Sequence, residues 1–150
     1  KYNMADINAA LGIHQLKKVD RFFKIRKQYA KIYDEAFQKV PELEILETRG
    51  YAEISHHLYI IALHLDQLSI TRNEFIDAIQ SAGIGVAVHY KAIHLQPFYA
   101  KEFSTQLATY PIATSYSHRI ISLPLYPRMS IDDIERVVDV VKEIVFRNRR

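Results

Sequence analysis

Residues 57–65 read HLYIIALHL, a run rich in β-branched and aromatic side chains with a half-alternating polarity. This pattern predicts a β-strand long enough to lie at the centre of a sheet. Two shorter apolar runs flank it in the sequence, at 43–46 and 120–123. The first is expected to be an edge strand, and Pro124 and Pro127 are expected to stop the second.

The first forty residues carry apolar side chains at intervals of three and four. Such spacing over 4–40 predicts one long amphipathic helix, bent near Gly12 and ended by Pro41. Its opposite face is rich in basic side chains, which we interpret as a solvated surface. These are Lys17, Lys18, Arg21, Lys24, Lys27 and Lys31.

Two capping signals predict further helices. Thr71 is followed three residues later by Glu74, and Ser130 by Asp133, so each pair can close a capping box. Each pair precedes an apolar stripe of helical period. The expected helices span 72–82 and 131–146.

The remaining segments complete a small mixed fold. Pro111 is expected to open a helix that runs to about His118, and the arginines after 146 are expected to fray. We therefore predict an α+β domain with a small, mainly antiparallel sheet formed by 57–65, 85–90 and 120–123. The helices near 72–82 and 131–146 are expected to pack on one face of that sheet.

The composition favours a globular protein and argues against several other classes of protein. The chain has 150 residues, 49% of them apolar, which suits one globular domain. The absence of cysteine excludes disulfides and thiolate chemistry and fits a reducing compartment, so we expect a cytoplasmic protein. No apolar run has membrane-spanning length, and the net charge of +3 is too small to predict a nucleic-acid partner. The chain begins inside a patterned segment, so we expect it to be part of a longer protein.

Three histidines lie in or beside the central run, at His56, His57 and His64. Neighbouring side chains on a strand point to opposite faces of the sheet, so His56 and His57 cannot readily face the same ion. We expect no metal site.

Residues 83–99 read GIGVAVHYKAIHLQPFY and form the candidate site. Two glycines allow an unusual backbone at the turn from helix to strand. A short β-branched strand over 85–90 then ends in His89 and Tyr90, and His94 follows. Polar aromatic groups just past the end of a strand are typical of a ligand site.

Four segments of the chain, in order, resemble landmarks of one enzyme family. They are KYNMADINAALGIHQL, SHHLYIIAL, GIGVAVHYKAIHLQPFY and ISLPLYPRMS. Together they resemble the carboxyl-terminal part of the DegT/DnrJ/EryC1/StrS aminotransferases, pyridoxal-phosphate enzymes that aminate nucleotide-linked keto-sugars. The resemblance extends over essentially all 150 residues.

The resemblance implies a fold-type-I enzyme that acts as a homodimer. Residues 1–150 would be its small carboxyl-terminal domain, with 1–40 linking to a large domain that binds pyridoxal phosphate. The Schiff-base lysine would lie upstream of Lys1, so the chain would hold no catalytic residue and would be inactive alone. The amino donor would be an amino acid, expected to be glutamate.

The resemblance also assigns roles to individual residues. The family's opening motif usually reads Gly-Tyr-Asn-Tyr-Arg-Met-Thr-Asp, and its Asn reaches the partner's cofactor phosphate. Here Lys1 and Asn3 stand in that region, a departure that resembles the 4-amino-4-deoxy-arabinose branch, and either side chain suits a phosphate. His89, Tyr90 and His94 match the loop that approaches the sugar nucleotide.

Two other classes of function remain open from the sequence. The basic helix face would suit a module that binds RNA or a partner protein, although the strands offer mainly Ile, Val and Leu rather than aromatics for base stacking. The second class is a relative of the family that keeps the fold and senses a ligand without catalysis. The position of the Schiff-base lysine would distinguish the enzyme from both.

Overall fold

A computed structural model describes residues 2–150, and Lys1 lies outside the described residues. The chain contains six α-helices, three strands and two short 3-10 turns within that range. The elements are α1 (Asp6–Leu16), α2 (Val19–Phe37), β1 (Leu43–Ile45), β2 (Tyr59–Leu63), α3 (Arg72–Ser81), a 3-10 turn (Ile93–Leu95), α4 (Pro97–Glu102), a 3-10 turn (Leu107–Thr109), α5 (Pro111–Arg119), β3 (Ile120–Leu123) and α6 (Ile131–Arg147).

The sheet has the order β1-β2-β3, and both pairs of strands are antiparallel. Ile61 of β2 lies opposite Ile121 of β3, and Leu63 lies opposite Leu43 of β1. Because side chains alternate along a strand, these residues share one face, while Ala62 and its cross-strand partners Glu44 and Ile120 face the other way. The predicted α+β class and the antiparallel sheet are confirmed.

The first face of the sheet carries the core, which α2, α3 and α6 cover. Helix α6 contributes the largest buried stripe, and α3 packs beside it, so the two helices lie on one face as predicted. The buried side chains of α6 are Ile134, Val137, Val138, Val141, Ile144 and Val145. Helix α5 contacts β2 from the other side, through residues that are not part of this core.

Aromatic side chains join α2 to the sheet. Tyr33 and Tyr59 are buried with ring centroids 4.7 Å apart. Tyr33 donates its hydroxyl to the carbonyl of Pro124 at 2.9 Å, and Tyr59 donates to Asp34 at 2.7 Å. Burial raises the pKa of both tyrosines above the ordinary value, so both hydroxyls are protonated donors at neutral pH.

Both predicted capping boxes are present. Thr71 accepts from the backbone N–H of Glu74, and Ser130 accepts from that of Asp133, while each carboxylate returns a bond to the first residue of its pair. Gly83 follows α3 with φ +78°, a left-handed conformation that a side chain would strain. The sequence therefore correctly predicted where both helices begin and the turn that follows α3.

The single helix expected over 4–40 is interrupted at Lys17 and Lys18, and Gly12 lies inside α1. The Lys18 N–H bonds the carbonyl of Gln15 at 2.9 Å, so the last turn of α1 tightens to a 3-10 pattern. The two helices also differ in surroundings, because α2 buries one face against the sheet whereas α1 buries no residue within this chain. The interruption therefore separates a helix that packs against the sheet from one that buries no residue within this chain.

The strand expected over 85–90 is reduced to a single bridge between Ala87 and Ser122. Ala87 exchanges two backbone hydrogen bonds with Ser122, at 3.3 and 2.8 Å, and the pairing stops there. Beyond that bridge, the His89 ring nitrogen Nδ1 lies 2.9 Å from the Ser122 hydroxyl, so a side-chain contact rather than a backbone ladder follows Ala87. The sheet proper is thus completed by β1, the expected edge strand.

The carboxyl terminus is held in place, contrary to the expected frayed tail. Arg149 forms an isolated bridge with Leu68 and pairs its guanidinium with the Glu42 carboxylate. Glu42 is only 2% exposed. Burial alone would raise the pKa of Glu42, but the hydrogen bonds and charge of Arg149 outweigh burial and lower it. None of the helices described over 2–150 is long and apolar enough to cross a membrane.

We predict that Arg149→Leu lowers the free energy of unfolding by about 1–3 kcal/mol near neutral pH, because it leaves the buried Glu42 carboxylate without its partner. The folded-state pKa of Glu42 is lowered, so its contribution is present above the unfolded pKa and is lost as pH falls through the folded value. The difference from wild type should therefore shrink below about pH 4. Urea denaturation across pH measures both effects.

Arg150→Leu is the matched control, since the Arg150 side chain is exposed and its guanidinium reaches only the carbonyl of Asp66, at 3.5 Å. Its cost should stay within about 0.5 kcal/mol at every pH. Equal losses in the two variants would contradict the assignment of the Glu42–Arg149 pair.

Candidate functional site

The candidate loop, residues 83–96, begins at the edge of the sheet beside β3, where Ser122 holds its first part. The His89 ring nitrogen Nδ1 lies 2.9 Å from the Ser122 hydroxyl, and Ala87 bonds the Ser122 backbone. Ser122 is buried, so little water competes for these bonds. One serine therefore fixes both the backbone and the first histidine of the loop.

Helix α5 holds the second part of the loop. The backbone N–H of Ala92 donates to the Ser117 hydroxyl at 2.9 Å, and His94 Nε2 lies 2.8 Å from the Thr114 hydroxyl. The carbonyl of His94 accepts from Thr105 at 2.8 Å. Thr114 and Ser117 are three residues apart and so share one face of the helix. That face is the surface on which the 3-10 turn at 93–95 rests.

Helix α5 is in turn tied to the edge strand through Glu44. Tyr116 donates its hydroxyl to one carboxylate oxygen of Glu44, and Arg119 donates to the other at 3.0 Å. The Arg119 guanidinium also lies 4.8 Å from the Tyr116 ring centroid and reaches the Leu63 carbonyl at 3.3 Å. The hydrogen bond from Tyr116, with help from Arg119, lowers the pKa of Glu44 despite its partial burial. Glu44 is therefore a carboxylate at neutral pH.

An open cleft of about 630 Å³ lies beside His94. Tyr99 and Phe103 form one wall, stacked with ring centroids 5.9 Å apart. Tyr110 meets the His94 ring edge-on at 5.1 Å, and Ala113 completes the lining beside it. The cleft is aromatic and lies in the size range of small-molecule sites.

The structure separates the residues expected to bind substrate. His94 is 7% exposed and lies at the aromatic cleft, whereas His89 lines a smaller cleft of about 250 Å³ beside Ser122. Tyr90 is 71% exposed, and its hydroxyl has no hydrogen-bond partner within the described part of the chain. Tyr90 is thus the most accessible of the three side chains.

The residues expected at the cofactor lie at the other end of the chain. Asn3 is exposed just before α1, so its amide is available to a phosphate, and Lys1 lies outside the described residues. A single amide fits a supplementary contact to a phosphate rather than a complete binding site.

Sequence reasoning missed the residues that hold the loop. Thr114, Ser117, Ser122 and Glu44 are short or common polar residues without a recognisable motif. The spacing of Thr114 and Ser117 behind Pro111 was the only available signal, since it places two hydroxyls on one helical face. No group of three or more acidic, histidine or cysteine side chains within residues 2–150 could hold a metal ion.

Helix α1 presents a large apolar surface. Ile7 is 73% exposed, Leu11 61% and Leu16 72%, and no residue of α1 is buried within this chain. Apolar side chains this exposed along a whole helix indicate a surface that packs against protein.

The profile of the DegT/DnrJ/EryC1/StrS aminotransferase family matches residues 1–142. The chain belongs to this family. The family match confirms the resemblance carried by the four sequence segments, and it accounts for a three-stranded sheet with helices on both sides as part of the fold-type-I architecture.

Two relatives match along nearly the whole chain. The uncharacterized protein MJ1066 of Methanocaldococcus jannaschii is 42% identical over 149 residues, which is 99% of this chain and 39% of that protein. The spore coat polysaccharide biosynthesis protein SpsC of Bacillus subtilis is 40% identical over 97% of this chain and 38% of its own length. The chain therefore spans about two fifths of these relatives.

A solved structure has the same fold. Spr1654 of Streptococcus pneumoniae, described as a sugar aminotransferase, is 29% identical in its PLP-form and superposes with a TM-score of 0.87. The match covers 97% of this chain and 36% of that one. A structure of Spr1654 in the PMP-form matches equally well.

We predict that Ser117→Ala accelerates hydrogen exchange at the Ala92 amide by about two- to tenfold, because the amide loses its acceptor. Amide exchange followed by NMR measures the effect. Ser115→Ala, at an exposed position of the same helix, is the matched control and should leave the Ala92 amide unchanged. Equal acceleration in both variants would show that the Ser117 bond does not hold the loop.

Proposed function

We propose that this chain is part of a pyridoxal-phosphate-dependent aminotransferase that moves an amino group from an amino acid, glutamate in our prediction, to a nucleotide-linked keto-sugar. The match of residues 1–142 to the aminotransferase family carries the proposal. The relationship to SpsC, a protein of spore coat polysaccharide biosynthesis, supports a role in making surface sugars.

We place residues 1–150 in the small carboxyl-terminal domain, with 1–40 leading from a large domain that supplies the cofactor site. The coverage of 36–39% of the relatives' length supports this division. The Schiff-base lysine is then outside this chain, and the chain alone neither binds the cofactor covalently nor transfers nitrogen. When bound, the cofactor supplies the electron sink that the chemistry needs.

The residues of this chain bind and orient. Tyr90, with its free and exposed hydroxyl, is placed to meet a hydroxyl or phosphate of the sugar nucleotide. His89 is oriented by Ser122, and His94 by Thr114, so each ring offers its other nitrogen in a fixed direction. Asn3 is proposed to add one donor to the cofactor phosphate of the partner subunit. Lys1 remains the alternative donor.

The competing RNA-binding function finds little support. Lys27 pairs with Glu53 at 3.1 Å and Lys31 with Glu35 at 3.6 Å, so acidic neighbours accompany part of the basic helix face. Helices contact both faces of the sheet, which leaves no open sheet surface for base stacking. A ligand-sensing relative would use the same clefts but lack the Schiff-base lysine.

The proposal is tested in a protein that extends this chain to the length of its relatives. Glutamate alone should change the cofactor absorbance, and a nucleotide-linked keto-sugar should restore it. Borohydride reduction and peptide mapping should locate the cofactor on a lysine outside 1–150. Cofactor fixed to a lysine within 1–150, or the absence of both half-reactions, would refute the proposal.

We predict that Tyr90→Phe in that protein slows the sugar half-reaction by about two- to tenfold, the effect of one lost hydrogen bond. The half-reaction with glutamate should keep its rate, because the donor does not need this contact. Absorbance measured separately with donor and with keto-sugar distinguishes the two. Tyr51→Phe, at an 82% exposed position in another loop, is the control. Equal slowing of both half-reactions by Tyr90→Phe would remove Tyr90 from the substrate site.

We further propose that α1 lies at the boundary between domains or between the subunits of a homodimer, since its apolar side chains are exposed in this chain. Ala9→Glu should then weaken dimerisation of the longer protein, because a carboxylate buried without a partner costs several kcal/mol. Analytical ultracentrifugation measures the effect. Gln28→Glu adds the same charge at an exposed position of α2, and only an effect specific to Ala9→Glu supports the boundary.

A further inference from the structure

Helix α5 joins the edge strand β1 to the candidate loop and presents a different pair of side chains to each. Tyr116 and Arg119 bond the Glu44 carboxylate of β1. Thr114 and Ser117 bond the loop. At about 100° of rotation per residue, the two pairs are centred about 160° apart around the helix axis, so they occupy opposite sides of α5. The position of α5 against β1 therefore determines where its loop-facing hydroxyls lie.

The Arg119 guanidinium has one donor that is not used. Its Nη2 donates to Glu44 at 3.0 Å and its Nη1 to the Leu63 carbonyl at 3.3 Å. Its Nε–H is buried and has no hydrogen-bond partner within residues 2–150. Nε–H and Nη2 lie on the same edge of a guanidinium, and that edge matches the two oxygens of one carboxylate. Glu44 thus occupies only half of an edge that can bind it with two hydrogen bonds.

Tyr116 accounts for the unused donor. Its hydroxyl donates to the other carboxylate oxygen of Glu44, which is the oxygen that a second bond to Arg119 would need. This hydrogen bond raises the pKa of Tyr116, so the hydroxyl keeps its proton at neutral pH. A buried donor without a partner costs free energy. Tyr116 and Arg119 Nε therefore compete for one oxygen of Glu44, and Tyr116 holds it.

The two competitors lie at different places along α5. Tyr116 is next to Ser117, which bonds the loop, whereas Arg119 is the last residue of the helix. A bond from Glu44 to Tyr116 consequently fixes the part of α5 that bears the loop-facing hydroxyls. A second bond to Arg119 would fix only the end of the helix.

We propose that Glu44 and Tyr116 are positioning residues for the candidate loop. Their hydrogen bond holds the middle of α5 against β1, so that the opposite side of the helix keeps its hydroxyls within bonding distance of Ala92 and His94. Arg119 ties the end of the helix to the sheet. The effect on the sugar half-reaction rests on the proposed function, whereas the positioning of the loop does not.

Tyr116→Phe separates positioning from stability, because the carboxylate oxygen that it frees can accept the Arg119 Nε–H. We expect this variant to keep the wild-type midpoint of urea denaturation while exchange at the Ala92 amide accelerates about two- to tenfold. Amide exchange followed by NMR measures the second effect. An unchanged Ala92 exchange rate would overturn the proposal. A lower midpoint with faster exchange throughout the chain would make Tyr116 an ordinary structural residue and would also overturn it.

Arg149→Leu is the matched control, because it removes the partner of Glu42 and does not touch α5. It should lower the midpoint and leave the Ala92 amide unchanged, since local opening of the loop controls exchange there. Acceleration equal to that in Tyr116→Phe would show that the Ala92 amide reports only global stability, which would overturn the assignment.

The Arg119 side chain supplies a spectroscopic signature of the competition. The proton signal of its Nε–H should move downfield in Tyr116→Phe, because the group gains a hydrogen bond. Tyr51→Phe, which removes an 82% exposed hydroxyl in another loop, should leave that signal in place. An unchanged Nε–H signal in Tyr116→Phe would show that the two donors do not compete for Glu44 and would overturn the role of Tyr116.

Glu44→Gln is the second variant, and it tests the other member of the pair. Its amide offers one acceptor oxygen to two donors, so the hold on Tyr116 weakens and exchange at Ala92 should accelerate as well. Wild-type exchange in Glu44→Gln would remove Glu44 from the positioning of the loop.

The longer protein tests the consequence for function. Tyr116 does not line the cleft beside His94, and Tyr116→Phe should slow the sugar half-reaction about two- to tenfold while the glutamate half-reaction keeps its rate. A displaced loop with an unchanged sugar half-reaction would overturn the functional role of the positioning and leave the proposed function intact. If the longer protein performs neither half-reaction, the proposed function fails, and the exchange rates and the Nε–H signal still decide whether Glu44 and Tyr116 position the loop.

Discussion

The alternation of side chains along β2 is the constraint on which the rest of the molecule depends. Its backbone is paired on both edges, to β1 and to β3, so its side chains have only two directions available. Ile61 and Leu63 point into the core formed with α2, α3 and α6, and Ala62 points to the side of α5. A shift of one residue in register would exchange the two sets. The apolar core thus fixes which face of the sheet carries the candidate site.

The two faces are stabilised by different interactions. The core face depends on apolar burial, which is non-directional and tolerates small shifts. On the other face, the loop is positioned by single hydrogen bonds from Ser122, Ser117 and Thr114, and α5 is itself held by Glu44. Each such bond contributes about 1 kcal/mol, so the loop can open locally without unfolding the sheet. This arrangement allows the candidate loop to adjust while the fold persists.

Local features of this fold were predictable from the sequence, and non-local ones were not. The capping boxes at Thr71 and Ser130 depend on residues three positions apart, and the sequence contains them completely. The pairing of Glu42 with Arg149 joins residues 107 positions apart, and no periodicity in the chain encodes it. The prediction of a strand over 85–90 is wrong for the same reason: β-branched residues favour an extended backbone, but pairing of that backbone with β3 beyond Ala87 depends on residues distant in the sequence.

The same distinction applies to the candidate site. Sequence resemblance could name His94, but only the structure shows which of its nitrogens is already bonded and that it shares no cleft with His89. The structure also distinguishes two exposed apolar surfaces, helix α1 and the cleft beside His94, that composition alone cannot distinguish. Helix α1 offers aliphatic side chains without a concave shape, which suits another protein surface. The cleft beside His94 offers stacked rings and a concave shape of about 630 Å³, which lies in the size range of small-molecule sites.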